Sequence, residues 1–250
     1  MNRFKSLMVV ALMLFVGGQM IGQTHGTMFL GGSFPMSDFA KVNGFNSTAI
    51  FGDVNQVHGG ADVGFNVGLK WDFGVGVPGL AVILSMDGLF NGPNSELEEC
   101  YNDKRNALDI EYNGIDLTTP RYINAAAMLG LRYTYYLNPQ FGLYLEAGAG
   151  GNGRYITDYC ERYDDTEALP DIKKHKNTKE YASAYTFSYQ VGAGIEMSRK
   201  LVLACSFYDL GAAPVKGEYI EKINWDSTTT NFENGKLHPM MVLARIGFRF

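Results

Sequence analysis

Charged side chains recur at every second position in several stretches that are otherwise apolar or rich in glycine. Lys70 and Asp72, for example, alternate with Leu69, Trp71 and Phe73. Acids and bases that share one face of a sheet can pair as buried ions, or they can line a narrow path for small ions. Both interpretations stay open, so we predict a charge network, structural or gating, that consists of Lys70, Asp72, Asp87, Arg132, Glu146, Glu196, Arg245 and Arg249.

Histidines and nearby acids form a second set of residues that could do chemistry. The candidates are His58, His175 and His238, with Ser183, Asp209 and Asp226 in the same regions. A histidine beside a serine or an acid can act in hydrolysis, but no spacing here fixes such a geometry. The histidines also lack the paired spacing of metal ligands. We therefore expect no enzyme, no catalytic residue, no metal site and no cofactor.

A glycine-rich motif also occurs, at residues 148–153, and it matches the GxGxxG pattern of dinucleotide-binding folds. That function requires a helix to begin directly after the motif. The segment RYITDYCERYDD follows instead, and it has no helical apolar period. We interpret these glycines as part of a crowded strand.

Long strands are the elements that must position the charged residues. Gly60–Phe73 alternates apolar with polar or glycine residues without a break, and a tilted strand needs about 9–11 residues to cross a bilayer. The predicted strands are 27–35, 60–73, 80–90, 121–137, 141–155, 181–197, 201–210 and 240–250. Aromatic residues near strand ends suit a membrane interface, and we assign this role to Trp71, Phe73, Tyr133, Tyr135, Phe248 and Phe250.

The connections between these strands alternate regularly in length. They comprise residues 36–58, 74–79, 91–120, 138–140, 156–180, 198–200 and 211–238. Long external loops and short periplasmic turns are typical of barrels in the outer membrane. The pattern predicts an all-β fold: an eight-stranded antiparallel up-and-down transmembrane β-barrel, with both termini at the end that carries the short turns.

The N-terminal segment has the features of a cleavable signal peptide. Arg3 and Lys5 precede an apolar run over residues 7–16, which is too short to cross a membrane as a helix. We predict a signal peptide over residues 1–23 and a barrel domain over residues 24–250, which would be exported.

The last strand alternates Val242, Ala244, Ile246, Phe248 and Phe250 with Leu243, Arg245, Gly247 and Arg249, and the chain ends on Phe250. With the signal peptide and the loop pattern, this chain resembles the OmpA/OmpX-like family of small outer-membrane β-barrel domains. The resemblance implies the outer membrane of a Gram-negative bacterium, periplasmic termini, lipid and lipopolysaccharide as neighbours, and the barrel-assembly machinery as a partner of the last strand.

Function is expected to lie in the four long external loops. We predict a structural or surface-interaction role, with an unknown protein or surface ligand bound at the loops. The alternatives are a narrow ion channel or a transport or secretion accessory and, less favoured, an outer-membrane enzyme. Nucleic acid is not expected as a partner, because the formal net charge is -5 and no basic face is evident.

Turn lengths predict which residues lie opposite each other. A three-residue turn at 138–140 places Arg132 across from Glu146, where we predict an ion pair. The turn at 198–200 sets Glu196 opposite Val202, so that Ser206 and Tyr208 point inward. The interior of an eight-stranded barrel is narrow enough for side chains to fill it. Other side chains predicted to face inward are Asp62, Asn66, Ser85, Asn124, Thr134, Ser188 and Gln190.

The chain contains three cysteines. Cys100 and Cys160 lie in separate external loops, where an exported protein can form a disulfide bond, and we predict a possible bond between them. Cys205 lies within a strand and is expected to be an unpaired apolar residue.

Overall fold

The computed structural model describes residues 24–42, 58–99, 102–103, 115–164, 174–198, 200–223 and 226–250. The predicted signal peptide, residues 1–23, lies outside them. The strands in chain order are β1 (Thr24–Met36), β2 (Gly64–Gly74), β3 (Leu80–Asn91), β4 (Ile115–Leu117), β5 (Tyr122–Asn138), β6 (Phe141–Ile156), β7 (Tyr159–Asp164), β8 (Lys174–Tyr181), β9 (Ala184–Met197), β10 (Leu201–Asp209), β11 (Ala213–Ile223), β12 (Asp226–Leu237) and β13 (Met240–Arg249).

Eight of these strands close into an antiparallel barrel. The order around the barrel is β1, β13, β10, β9, β6, β5, β3 and β2, and β2 returns to β1. The closing pair, β1 with β13, extends from Thr27 opposite Arg249 to Met36 opposite Met240. The predicted fold class is therefore confirmed. Within the described residues, no helix has the length and hydropathy needed to span a bilayer.

The barrel wall is apolar on the outside and polar on the inside. Leu145 and Phe248 are 69% and 60% exposed on the outer face, whereas Arg132 and Lys70 are each 1% exposed on the inner face. Water around such a wall would face a continuous apolar surface, which soluble proteins avoid. The distribution is that of a transmembrane barrel, in which lipid covers the outer face.

Five further strands form a second sheet, which we call the cap sheet, in the order β12, β11, β8, β7 and β4. This order repeats that of the barrel strands β13, β10, β9, β6 and β5, so each cap strand continues one barrel strand beyond the rim. The loops predicted at 156–180 and 211–238 are thus wrong in part, because they contain β7, most of β8, β11 and β12. Thr-rich and alternating segments such as DSTTTNFENGKL favour strands once a neighbouring strand is present.

A change of backbone conformation separates barrel from cap on one side. Gly211, between β10 and β11, has a φ of +76°, in the left-handed region that costs glycine least. A Cβ atom there would lie 2.3 Å from the carbonyl oxygen of Phe187, so the site accepts only glycine without a shift. The Asp209 carboxylate accepts a hydrogen bond from the Gly211 amide at 2.9 Å and so holds this break.

The start of β2 differs from the prediction. The strand begins at Gly64 rather than Gly60, because residues 60–63 form irregular contacts with residues 92–94, including an isolated bridge between Ala61 and Pro93. Asp62 precedes the strand and is exposed, so its predicted inward position was wrong.

Candidate functional site: the barrel interior and its cap

The predicted charge network comes together inside the barrel, near the end that carries the short turns; we call it the charged cluster. Its four bases and four acids are Lys70, Arg132, Arg245 and Arg249 with Asp72, Asp87, Glu146 and Glu196; Arg249 is half-buried and the other seven are buried. Equal numbers of opposite charges leave the cluster formally neutral. Because an isolated buried charge costs several kcal/mol, such groups are stable only as a paired set.

Arg132 is the central member of the charged cluster. It lies directly opposite Glu146 across β5 and β6, as predicted, and its Nη2 is 2.8 Å from the Glu146 Oε2. The turn itself is one residue shorter than predicted, because Asn138 pairs with Phe141, and a register shift between Tyr136 and Asn138 restores the expected pairing. Its Nη1 is 2.7 Å from the Asp72 Oδ2 and 3.7 Å from the Glu196 Oε1. Lys70 donates a hydrogen bond to the other oxygen of Glu146. Arg132 thus connects three carboxylates from three strands.

The two arginines of β13 complete the cluster through carboxylates of other strands. Arg245 Nη1 lies 2.8 Å from the Asp87 Oδ1. Arg249 Nη2 lies 3.2 Å from the Asp72 Oδ2, and its Nη1 donates to Glu196 at 2.9 Å. The whole set therefore links β2, β3, β5, β6, β9 and β13 across the interior.

Aromatic rings lie between the charges, and the sequence analysis did not identify them. The Phe29 ring lies 5.2 Å from the Lys70 ammonium and 4.8 Å from the Arg245 guanidinium. The Tyr144 ring lies 4.1 Å from the guanidinium of Arg132. Such contacts stabilise desolvated cations. Strict alternation from Glu146 could have placed Tyr144 inside, and alternation with Thr27 and Ser33 could have placed Phe29 there as well.

A separate apolar cluster fills the other end of the interior, beneath the long connections. Its members include Phe39, Leu89, Tyr122, Tyr208, Leu210, Met241 and Leu243. A short 3-10 helix, Ser37–Phe39, carries Phe39 into contact with Tyr122, with ring centroids 5.0 Å apart and an interplanar angle of 72°. Tyr208 connects the two clusters, because its hydroxyl donates to the Asp87 carboxylate at 2.7 Å.

The apolar cluster continues into the base of the cap sheet through Tyr159 and Tyr181. Burial, followed by the nearby Glu161 carboxylate, raises the pKa of Tyr159 well above its usual range. Burial and then Tyr122 raise the pKa of Tyr181 in the same direction. Both hydroxyls thus stay protonated at neutral pH, and the Tyr159 hydroxyl donates a hydrogen bond to the Glu161 carboxylate at 2.8 Å.

Two of the candidate acid–base residues meet at the rim. The Nε2 of His238 lies 2.7 Å from the Asp209 Oδ1, and the Tyr189 hydroxyl donates to the other oxygen of Asp209 at 2.8 Å. Ser183 and Asp226 are exposed and have no contact with this pair, and His58 lies 3.8 Å from Asp38 instead. The described residues contain no group of three or more His, Cys, Asp or Glu side chains placed to hold a metal ion.

The predicted interface aromatics differ in exposure. Tyr133, Tyr135, Phe248 and Phe250 are exposed on the outer wall, Trp71 is half-buried, and Phe73 is buried at the end of β2. The interface role of the four exposed rings stays a prediction, while Phe73 presents little surface to lipid.

One partner of the predicted disulfide bond lies outside the described residues, so the bond stays a prediction. Cys160 is a free, half-buried thiol on β7, and Cys100 lies outside the described residues. Cys205 is a free cysteine exposed on the outer wall, as predicted.

Comparison with known proteins finds structural similarity alone. No protein-family model matches the chain, and no curated protein matches it. Similar solved structures include a major outer membrane protein from Thermus thermophilus, with 10% identity over 91% of this chain and 100% of that chain and a TM-score of 0.45. OprG from Pseudomonas aeruginosa is 11% identical over 92% of this chain and 97% of that chain, with a TM-score of 0.43.

Neisserial surface protein A is 9% identical over 90% of this chain and 95% of that chain, with a TM-score of 0.42. Similarity at this level carries no argument about function. The barrel architecture rests on the strand pairing of the chain itself, and that pairing confirms the class of fold that the resemblance implied: a small eight-stranded membrane barrel.

Proposed function

We propose that the protein is an outer-membrane barrel with a non-conducting interior, and that its cap sheet binds a protein or surface ligand outside the cell. The short turns and both termini then face the periplasm. Lipid and lipopolysaccharide surround the wall, and the barrel-assembly machinery recognises the strand that ends at Phe250. In this proposal the protein is not an enzyme.

The observation that carries this proposal is the continuation of five barrel strands into an ordered cap sheet. A sheet built on a rigid wall presents a fixed surface, and such a surface is better suited to recognition than flexible loops. Its outer strand β12 exposes Thr228, Thr229 and Thr230, and among the described strands it pairs only with β11. An extended segment of a partner can add to an open edge of this kind.

Two stacked clusters support the non-conducting interior. The charged cluster connects six strands by ion pairs, and the apolar cluster lies between it and the cap. An ion would have to displace paired charges and then cross an apolar region, and both steps are costly.

Planar-bilayer recordings test the interior. We expect no discrete openings from the wild-type barrel, and none from Arg132→Ala or Phe39→Ala. Stepwise, ion-selective openings in the wild type would contradict the proposal and favour the narrow channel. An open porin of known conductance, reconstituted in the same lipid, controls for successful insertion.

Cap variants test the surface role. Cells displaying the barrel would be compared for adhesion to immobilised matrix proteins and polysaccharides. We expect replacement of residues 213–237 by a short Gly-Ser turn to abolish adhesion while the barrel still inserts. The double variant Thr228→Lys and Thr230→Lys should weaken it, because charge along an edge disfavours strand addition. Adhesion that is unchanged in both variants would contradict the surface role.

A further inference from the structure

Arg154 is a buried cation that differs from every base of the charged cluster. It lies on β6, is 3% exposed, and its guanidinium reaches across to the base of the cap. Nη1 donates to the Leu237 carbonyl at 2.9 Å, and Nη2 donates to the carbonyls of Ala213 at 3.1 Å and Pro214 at 3.5 Å. These acceptors are neutral, and among the described residues no carboxylate forms an ion pair with Arg154.

Two N–H donors on neighbouring positions have no acceptor within the described protein. Arg154 and Asn124 lie directly opposite each other across β5 and β6, and both face the interior. The Nε of Arg154 and the Nδ2 of Asn124 form no hydrogen bond. The Asn124 Oδ1 accepts from Asn152 at 3.3 Å, and this contact leaves the Nδ2 amide hydrogens as the free group.

We propose that Arg154 and Asn124 form a binding site for a small inorganic monoanion of the chloride class, beneath the base of the cap sheet. An uncompensated buried charge is costly, and carbonyl dipoles reduce that cost without cancelling the charge. A water molecule could accept from both donors, but it would leave the positive charge in place. A monoanion accepts from both and neutralises the guanidinium.

Anion binding would act on the connection between barrel and cap. Arg154 contacts Ala213 and Leu237, which pair at the open end of the β11–β12 hairpin, where β11 begins and β12 ends. A ligand that binds only the folded protein raises its stability by mass action. The bound anion should therefore stabilise the position of the β11–β12 hairpin on the barrel.

Thermal unfolding of the full chain in nanodiscs tests the proposal. Chloride would be compared with gluconate, an anion too large for a buried site, at equal ionic strength. We expect the Tm to rise with the logarithm of the chloride concentration above the dissociation constant, and to reach a gain of about 5 °C at roughly a hundred times that constant. Equal Tm values in the two salts at every concentration would overturn the proposal.

The variant Asn124→Asp separates a specific site from a general salt effect. Its carboxylate has nearly the shape of the amide and supplies a counterion beside Arg154. We expect the Tm in gluconate to reach at least the wild-type value in chloride, and the response to chloride to vanish. The exposed Arg121, substituted as Arg121→Met, is the matched control and should keep the wild-type response. A full chloride response in Asn124→Asp would overturn the proposal.

A direct measurement does not depend on any variant. Crystals of the wild-type protein soaked in bromide should show an anomalous peak within hydrogen-bond distance of the Arg154 Nε and the Asn124 Nδ2. Absence of that peak, at a bromide concentration at which the same salt raises the Tm by about 5 °C in solution, would overturn the site.

Discussion

The two ends of the barrel interior are filled by side chains of different chemical character. The charged cluster fills the end near the short turns with ion pairs from six strands, whereas the apolar cluster fills the other end with aromatic and aliphatic side chains. Ion pairs are directional and fail as a set when one member is removed. Apolar contacts are non-directional and tolerate changes that conserve volume.

The difference matches the surroundings of each end. The charged cluster lies within strands that are fixed by neighbours on both sides, so its partners are held at set distances. The apolar cluster includes Phe39 from a connection and Tyr159 and Tyr181 from the cap. Non-directional packing suits this end, because it joins segments whose geometry is not set by one ladder.

Removal of the central arginine should have the largest effect on stability. Arg132→Met leaves the carboxylates of Glu146 and Asp72 short of a partner, and we expect the free energy of unfolding to fall by about 3–5 kcal/mol. Urea unfolding in lipid vesicles measures it. The exposed Arg121→Met should change stability by no more than about 0.5 kcal/mol. Equal losses in the two variants would show that the charged cluster does not stabilise the barrel.

Truncation in the apolar cluster should cost somewhat less. Leu89 is fully buried there, and Leu89→Ala should lower the free energy of unfolding by about 2–4 kcal/mol through lost burial and a cavity. The volume-conserving Leu89→Met should cost less than about 1.5 kcal/mol in the same urea titration. If Leu89→Met is as damaging as Leu89→Ala, this end depends on exact shape and the contrast with the charged cluster is wrong.

The two ends also differ in how far the sequence predicts them. The charged cluster was predictable because alternation assigns a face to each charged residue. The pairing of Arg132 with Glu146 also holds, because the register shift between Tyr136 and Asn138 compensates for a turn one residue shorter than predicted. The apolar cluster was predictable only in part, because Phe39 and Tyr159 join it from segments that were predicted to be loops. Alternation assigns faces within a strand, and it says nothing about which connecting segments pack onto the strand ends.

The cap sheet was missed for another physical reason. Its strands are polar and flank charged turns, so they read as loops, and their pairing depends on barrel neighbours that bring them together. Asp62 shows a related limit. It continues the alternating pattern of β2 toward the N-terminus, but residues 60–63 contact residues 92–94 instead, so the strand begins only at Gly64. The local sequence pattern thus predicts the barrel strands, but it does not predict where they end on the side of the long connections.

Tyr208 packs in the apolar cluster through its ring and bonds to Asp87 of the charged cluster through its hydroxyl, so the ring and the hydroxyl can be tested separately. Tyr208→Phe removes only the hydroxyl that donates to Asp87, and we expect a loss of about 1–3 kcal/mol, because a buried carboxylate loses a donor. Tyr144→Phe is the matched control: its hydroxyl forms no hydrogen bond with described residues, so its loss should be near zero. Similar losses in the two variants would mean that the rings, and not the bond to Asp87, determine the stability at this boundary.

The rim contact between His238 and Asp209 should have the smallest effect, and the effect should be local. Asp209 keeps the Gly211 amide and the Tyr189 hydroxyl as donors in His238→Phe, and the His238 side chain is 38% exposed. We expect a loss of about 0.5–1.5 kcal/mol. Amide hydrogen exchange should show faster exchange at the start of β11 and the end of β12, with no change in β2 or β5.

The extent of that change decides whether cap and barrel unfold together. Tyr189→Phe removes a different donor from the same carboxylate and should give the same local pattern. If either variant also speeds exchange in the strands that carry the charged cluster, then the two ends form one cooperative unit. Their contrast would in that case be one of composition alone, because cooperative unfolding spreads a local loss over the whole structure.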